Sequence, residues 1–397
     1  MDWLAYTILF LCCLALAHTY LLYPVAMVLA ARGKRPHGPV YAPDDSELPA
    51  LSVLMAVHNE EKVLADKLST LFAQQYPTGK WRMYIGSDAS SDDSNRIGSA
   101  FNGKEGYQYI PFQERRGKPP VINDLAAKAI ADRGVDHHVL LLTDASVMLS
   151  PGVAYTLARH FKDPSIGLVD AHMKSTQVQR AGISTSERAY IGGETRLKHA
   201  ESALWGAMMG PFGGCYALRA DLFEPIPEKH LVDDFFLAFR VLEKGFRAIN
   251  DLDAVCYEGA THRVKDEFRR KKRIAAGSFQ NLALFKRWVL PPKTTVGFAF
   301  FSHKVLRWMG GFLILFGWMA LGALACCNQF ARPLFLVSSA LLAGIPLLYA
   351  FLDRLRLPTG PIRHLSYFIS MNAALIAGFF QWRKGIKDSA WQRTNRY

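Results

Sequence analysis

The six cysteines of this 397-residue chain form no CxxC pair and no zinc-type spacing, so no cysteine-built metal site organises it. Cys12, Cys13, Cys326 and Cys327 sit in or at the edge of apolar runs and read as small hydrophobes in a reducing compartment. The chain also lacks an internal repeat and any low-complexity tract. The Gly117-Lys118 step lacks the rest of a P-loop, which excludes a Walker-type NTPase. The formal net charge of +13, from 47 basic and 34 acidic residues, comes with no recognisable nucleic-acid module, so no nucleic-acid partner is expected. Charge itself is missing from four stretches: 3–31, 308–327, 333–352 and 365–382 contain no Asp, Glu, Lys or Arg. Each approaches the roughly 20 apolar residues that a helix needs to cross a bilayer core. One N-terminal and three C-terminal membrane segments around a soluble centre are therefore expected.

Ahead of the first stretch stand Asp2 and no basic residue, and its apolar run is too long for a signal-peptide core, so a retained anchor is expected, kinked but not ended at Pro24. Arg32, Lys34 and Arg35 follow directly. The positive-inside rule then places the central domain in the cytoplasm of a multi-pass protein of the inner or plasma membrane. Further basic groups beside the membrane segments (Lys304 and Arg307, Arg354 and Arg356, Arg383 to Lys387) read as topology signals and contacts to anionic lipid. One conflict arises. A full span at 365–382 would leave Arg383, Lys384, Lys387, Arg393 and Arg396 outside, so either that segment is re-entrant or the rule is broken.

Residues 32–50 hold four prolines and mixed charge, the composition of a linker. A repeating pattern follows: strand-like runs at 51–57, 81–86, 107–110 and 138–143 alternate with helical periodicity at 60–73, from about 92, and at 120–132. Alternation of this kind predicts a mostly parallel, doubly covered sheet, whose ligands bind past the carboxyl ends of the strands. HNEE, SDASSDDS and TDAS fall at those ends. A helix at 151–161, a strand at 167–173, a helix at 184–203, the stretch GPFGGCYALR at 210–219, a helix opened by VDD at 232–234 and a last strand at 246–252 complete a domain over 51–277. The paired glycines Gly213 and Gly214 permit close approach of backbone to a ligand or another segment. Apolar and basic residues mix at 278–292, which reads as an interfacial helix, with the membrane region over 293–397.

Three clusters carry chemistry. Asp144 ends a strand, where one carboxylate and a diphosphate together suit Mg or Mn; a helix cap or turn is the plainer use of such an aspartate. Asp233 and Asp234 open a helix, and a neighbouring carboxylate raises the proton affinity of a general base; an ordinary N-terminal cap is the alternative. Arg270 and Arg273 lie three apart in a run of five cations, so a shared helix face would present both to a diphosphate; a solvated or lipid-facing surface is the other reading. Lys118 is a further phosphate or base candidate.

Together these residues resemble the family 2 glycosyltransferases with membrane-embedded C-termini, the group of cellulose, chitin and hyaluronan synthases and exopolysaccharide transferases. The likeness runs over 51–277. VHNEE resembles the first nucleotide-binding loop, which implicates Asn59 and Glu60, and SDASSDDS resembles the element that would set Asp88 on a uridine. RRGKPPVIND is similar to the segment whose lysine and asparagine face the nucleotide, here Lys118 and Asn123. TDAS stands where that family has its DxD metal motif, with Asp144 as the metal ligand and Ser146 in place of the second aspartate. VDD is similar to the TED or GDD motif, which makes Asp234 the base, and RKKRI to QxxRW, with Arg270 for glutamine and Ile274 for tryptophan. The missing tryptophan removes an aromatic platform that long-chain synthesis uses.

The resemblance implies a GT-A catalytic domain and an inverting transfer from a UDP-sugar to a glycan or lipid-linked acceptor, with Mg or Mn. Expected partners are the nucleotide-sugar donor, that acceptor, membrane lipid and other polysaccharide-assembly proteins. A processive synthase that exports its own β-linked polymer is the nearest alternative, and a catalytically dead nucleotide-binding membrane protein is a third.

Overall fold

The computed structural model describes residues 2–35, 38–176, 184–259, 264–289, 294–355, 357–386 and 389. Lys387, Arg393 and Arg396 of the topology conflict lie outside these residues, as do Arg356 and 290–292.

The apolar runs become an eight-stranded sheet in the order β3-β2-β1-β4-β7-β6-β8-β5. Its strands are β1 (Ala50–Val57), β2 (Trp81–Asp88), β3 (Tyr107–Phe112), β4 (His138–Thr143), β5 (Val147–Leu149), β6 (Ile166–Thr176), β7 (Cys215–Arg219) and β8 (Arg247–Gly259). β1 to β4 pair in parallel, β7 runs antiparallel between β4 and β6, and β6 pairs β8 in parallel. Alternation along β1 feeds both faces. Leu51, Val53, Met55 and Val57 enter the core beneath the Leu64–Phe72 helix, while Leu54 and Ala56 join Val121, Ile122 and Leu125 of the Lys118–Arg133 helix on the other face. This is the mostly parallel, doubly covered sheet expected of the sequence.

Two boundaries differ. β8 continues to Gly259, beyond the expected end at 252, because it pairs β6 on one side and the short β5 on the other. A single helix, Val264–Leu284, runs through the expected domain boundary at 277. Ser278, Phe279, Asn281 and Phe285 are buried, and the Phe285 ring lies 4.4 Å from that of Phe239 on the Asp233–Glu243 helix. The separate interfacial helix expected at 278–292 is therefore replaced, over its described part, by the last turns of a helix packed on the domain. Its phenylalanines Phe279 and Phe285 face protein while Leu284 stays exposed, and Arg287 is held by Glu243 at 2.6 Å. The linker is tied down as well: Tyr41 and Leu48 are buried, and Tyr41 N donates to Arg159 O at 3.0 Å.

Among the described residues, three helices are long and apolar enough to cross a membrane: Asp2–Ala30, Gly310–Cys327 and Ala331–Arg354. A π-helical turn at His18–Leu22 precedes Pro24, and the helix continues past it. The fourth expected span is a helix, Gly360–Arg383, but it lies along the Val264–Leu284 helix. Gly378 makes the approach close enough that a Cβ there would stand 2.7 Å from Lys272 O. Phe279 stacks on Trp382 at 6.0 Å.

A buried polar network joins the first apolar helix to the domain. His303 bonds Glu201 through Nδ1 at 2.7 Å and Glu194 through Nε2 at 2.9 Å, both glutamates lying on the Ser184–Trp205 helix. Tyr23 of the first apolar helix donates to Glu201 at 2.9 Å. Glu194 also takes Lys304 and Arg307, so these two cations serve an internal ion cluster rather than the lipid contacts read from the sequence. Removing one member of a buried ion cluster strands the others. Glu194→Ala should therefore cost about 3 to 5 kcal/mol and lower the melting temperature of the detergent-solubilised protein; an unchanged melting curve would show that the cluster is solvated.

Candidate active site

The carboxyl ends of β1 and β2 are joined by reciprocal side-chain to backbone bonds. Asn59 adopts φ +54° and its Oδ1 accepts from Ser91 N at 2.8 Å, while Asn59 N donates to Ser90 Oγ at 3.1 Å. Glu60 N donates to Ser94 Oγ at 2.8 Å. Asp88, expected on a uridine, is fully buried and accepts from Arg116 N at 2.7 Å and Gly117 N at 2.9 Å. Its carboxylate thus fixes the turn that launches Lys118. Asn123, expected to face the nucleotide, has both ends of its amide on the backbone of Ile226, each at 2.8 Å. Asn59, Asp88 and Asn123 build the walls of the site in this structure.

Lys118, first residue of its helix, points its ammonium at Asp144 Oδ1 (2.9 Å) and Asp233 Oδ2 (3.3 Å). Burial works against that charge, but Asp144, Asp233 and Asp234 outweigh it and hold the lysine firmly protonated. Asp144 stays partly exposed, 39% at its side chain, and its backbone N donates to Gly214 O at 3.1 Å. Beneath it Lys67 is fully buried, donating to Thr143 Oγ1 at 2.8 Å; burial pulls its ammonium down to about 8.

Asp233 and Asp234 open the Asp233–Glu243 helix. Burial, and next the charge of Asp233, push the Asp234 carboxyl up to about 7, against the opposing pull of Lys118. Gly213, at φ +81°, is what admits Asp234: a Cβ there would stand 2.6 Å from Asp234 Oδ2. Arg273 and Arg270 part company. Arg270 binds Glu187 at 2.9 Å and Glu267 at 3.3 Å, so its guanidinium is neutralised away from the carboxylates of the site. Arg273 is half-buried, its charge disfavoured by burial and favoured by Asp233, Asp144 and Asp234. Its Nε is buried with no hydrogen-bond partner among the described residues.

A cation suits this donor set. An ammonium already lies between Asp144 and Asp233, and Asp233 Oδ2 is buried with that ion pair at 3.3 Å but no well-formed hydrogen bond among the described residues. Among the described residues no three His, Cys, Asp or Glu side chains converge to hold a metal alone, so a phosphate-bearing ligand would have to complete its oxygen shell. Sequence reasoning missed Tyr216, whose buried hydroxyl lies beside the same carboxylates and is pushed well above its ordinary pKa by burial and then by Asp233, Asp234 and Asp144. The GPFGGCY stretch was the available signal. It also missed Glu258, whose Oε1 accepts from Ser146 Oγ at 3.4 Å.

A family model described as glycosyl transferase family group 2 matches residues 138–380. The chain belongs to that family. It is an enzyme of the glycosyltransferase class with a GT-A fold. It is 29% identical over 124 residues to the poly-beta-1,6-N-acetyl-D-glucosamine synthase of Staphylococcus aureus, covering 31% of this chain and 28% of that one. It is 25% identical over 260 residues to the probable glycosyltransferase YdaM of Bacillus subtilis, covering 60% and 58%. The matches thus span less than two thirds of these curated relatives. Its fold is similar to that of the mannosyltransferase PcManGT from Pyrobaculum calidifontis, solved with GDP-Man and Mn2+, at a TM-score of 0.67 and 21% identity over 95% of this chain and 99% of that one.

The role of Gly213 is testable against Gly152, which has the same φ of +81° but no atom within 4 Å of where an added methyl would stand. Both alanine variants carry backbone strain of about 1 to 3 kcal/mol. Only Gly213→Ala should also lower transfer, by tenfold or more, because only there does the methyl displace Asp234. Equal losses of activity would mean that strain alone is at work.

Proposed function

We propose that the chain is a membrane-bound inverting transferase that moves a sugar from a UDP-sugar to a glycan or lipid-linked acceptor in extracellular polysaccharide assembly. The observation that carries this reading is the convergence of two cations, Lys118 and the unpartnered Arg273 Nε, on Asp144, Asp233 and Asp234 past the sheet's carboxyl edge. Fixed cations there match a departing diphosphate, and a carboxylate of raised proton affinity matches an acceptor hydroxyl. Asp234 takes the proton of that hydroxyl as its oxygen attacks the anomeric carbon from the face opposite the diphosphate. Arg273 and Lys118 stabilise the charge left on UDP. Asp144 would hold a Mg or Mn ion, which when bound neutralises part of the diphosphate charge. Catalysis is then mostly positioning and charge stabilisation.

The packing of Gly360–Arg383 along the Val264–Leu284 helix supports a catalytic domain in the cytoplasm. A reading with three crossings rather than four would put Arg383 and Lys384 on the side of Arg32, Lys34 and Arg35, as the positive-inside rule asks.

A donor screen with UDP-glucose, UDP-galactose, UDP-GlcNAc and UDP-glucuronate in nanodiscs, reading UDP release and product mass, tests the reading; no release from any nucleotide sugar overturns it. With the productive donor, kcat/KM should rise with pH and level off above about 7, because Asp234 accepts a proton only when ionised. Asp233→Asn removes one cause of the raised value and should move that rise to lower pH. Asp234→Asn should cut transfer by about 10²- to 10⁴-fold with UDP affinity kept. Arg273→Ala should lower kcat more than it raises KM, since its charge counts most as the diphosphate leaves. A pure rise in KM would make Arg273 a ground-state binding residue.

A further inference from the structure

We infer that Lys67 is a positioning residue for the transfer, fixing through Thr143, Val147 and Gly214 both the strand-end Asp144 and the glycine that seats Asp234. This rests on the reading of Asp144 and Asp234 as the residues that meet donor and acceptor. Lys67 lies on the Leu64–Phe72 helix in one stripe with Leu64, Leu68 and Leu71, all fully buried. Positions i, i+3, i+4 and i+7 of a helix form a core face, which suits apolar residues throughout. Lys67 is fully buried too, and a desolvated ammonium is costly unless its hydrogen bonds are made. Among the described residues they go to neutral oxygens, Thr143 Oγ1 at 2.8 Å and Val147 O at 2.5 Å. A methionine of similar length would suit the core alone; what the ammonium adds is its grip on those two oxygens.

The two oxygens stand at the entry and the exit of the turn that carries Asp144. β4 ends at Thr143 and β5 begins at Val147, and Val147 N donates to Asp144 O at 3.2 Å to close the turn between them. The ammonium fastens that turn at both ends. The same contact reaches the other side of the site. A hydroxyl that accepts from a cation is a stronger donor in its turn, and the Thr143 hydroxyl donates to Gly214 O at 2.9 Å, where Asp144 N also donates at 3.1 Å. Gly214 follows Gly213, whose missing side chain leaves room for Asp234 Oδ2. The two loops are in close contact here, since a Cβ on Gly214 would stand 2.9 Å from Val147 Cγ2. One buried cation therefore sets the spacing between the turn of Asp144 and the loop beside Asp234.

The test is a double-mutant cycle on the full-length protein in nanodiscs, reading UDP release from the productive donor beside the melting temperature. Lys67→Met keeps the length of the side chain, and Thr143→Val keeps its shape while removing the hydroxyl. Each should lower kcat by about ten- to a hundredfold without a matching loss of folded protein. The double variant should fall no further than the worse single one, because both changes break the same chain of bonds. Thr143→Ser, which keeps the hydroxyl, should recover most of the Thr143→Val loss. Lys67→Leu, which completes the apolar stripe, takes the place of Lys67→Met in the cycle if the latter is unstable. Wild-type turnover in the folded Lys67 variant, losses that multiply in the double variant, a Thr143→Ser as slow as Thr143→Val, or activity that only follows the folded fraction would each overturn the inference and leave the proposed function standing. Wild-type turnover in Asp144→Ala or Asp234→Asn would instead remove the reading beneath it.

Discussion

Three aspartates crowd the carboxyl edge of the sheet, and one ammonium makes their crowding tolerable. Lys118 is within 2.9 Å of Asp144 and 3.3 Å of Asp233, and its own position is set by Asp88, which caps the backbone of Arg116 and Gly117. Desolvated like charges repel strongly unless a counter-charge stands among them. The β1 and β2 loops, the start of the Lys118 helix and the start of the Asp233 helix therefore hold one another in register through that charge. Burial and the charge of Asp233 raise the affinity of Asp234 for a proton against the opposing pull of Lys118.

Much of this was legible in the sequence. Unbroken runs such as LSVLMAV and HVLLLT reported fully buried parallel strands, and TDAS and VDD fell at strand and helix ends where carboxylates do chemistry. The charge-free stretches at 3–31, 308–327 and 333–352 became the three apolar helices. What failed to read through was partner choice. Arg270 and Arg273 share spacing and residue type, yet Glu187, 83 residues away in sequence, claims one of them. Helical spacing fixes which direction a side chain leaves its own helix and says nothing of what waits there.

The same limit explains the other departures. SFQNLALF has the mixed composition of a membrane-surface helix, but Phe239 and Trp382 offer its phenylalanines protein to cover. Gly360–Arg383 is as free of charge at its centre as a span, but Gly378 gives the Val264–Leu284 helix a groove to lie in. Lys304 and Arg307 look like lipid anchors until Glu194 is found between them. Asp88 and Asn123, which the family pattern sets on the nucleotide, also bond the backbone of Arg116, Gly117 and Ile226, contacts that the motif alone does not reveal.

The helix Val264–Leu284 is a rod of 21 residues, about 30 Å long. One part of it carries Arg273 beside the carboxylates, and Gly378 and Trp382 of the next apolar helix rest against its middle and far turns. A stiff rod transmits displacement rather than absorbing it. The position of the guanidinium is thereby referenced to the apolar C-terminal helices as well as to the sheet, so their packing is part of the scaffold that sets where this charge stands.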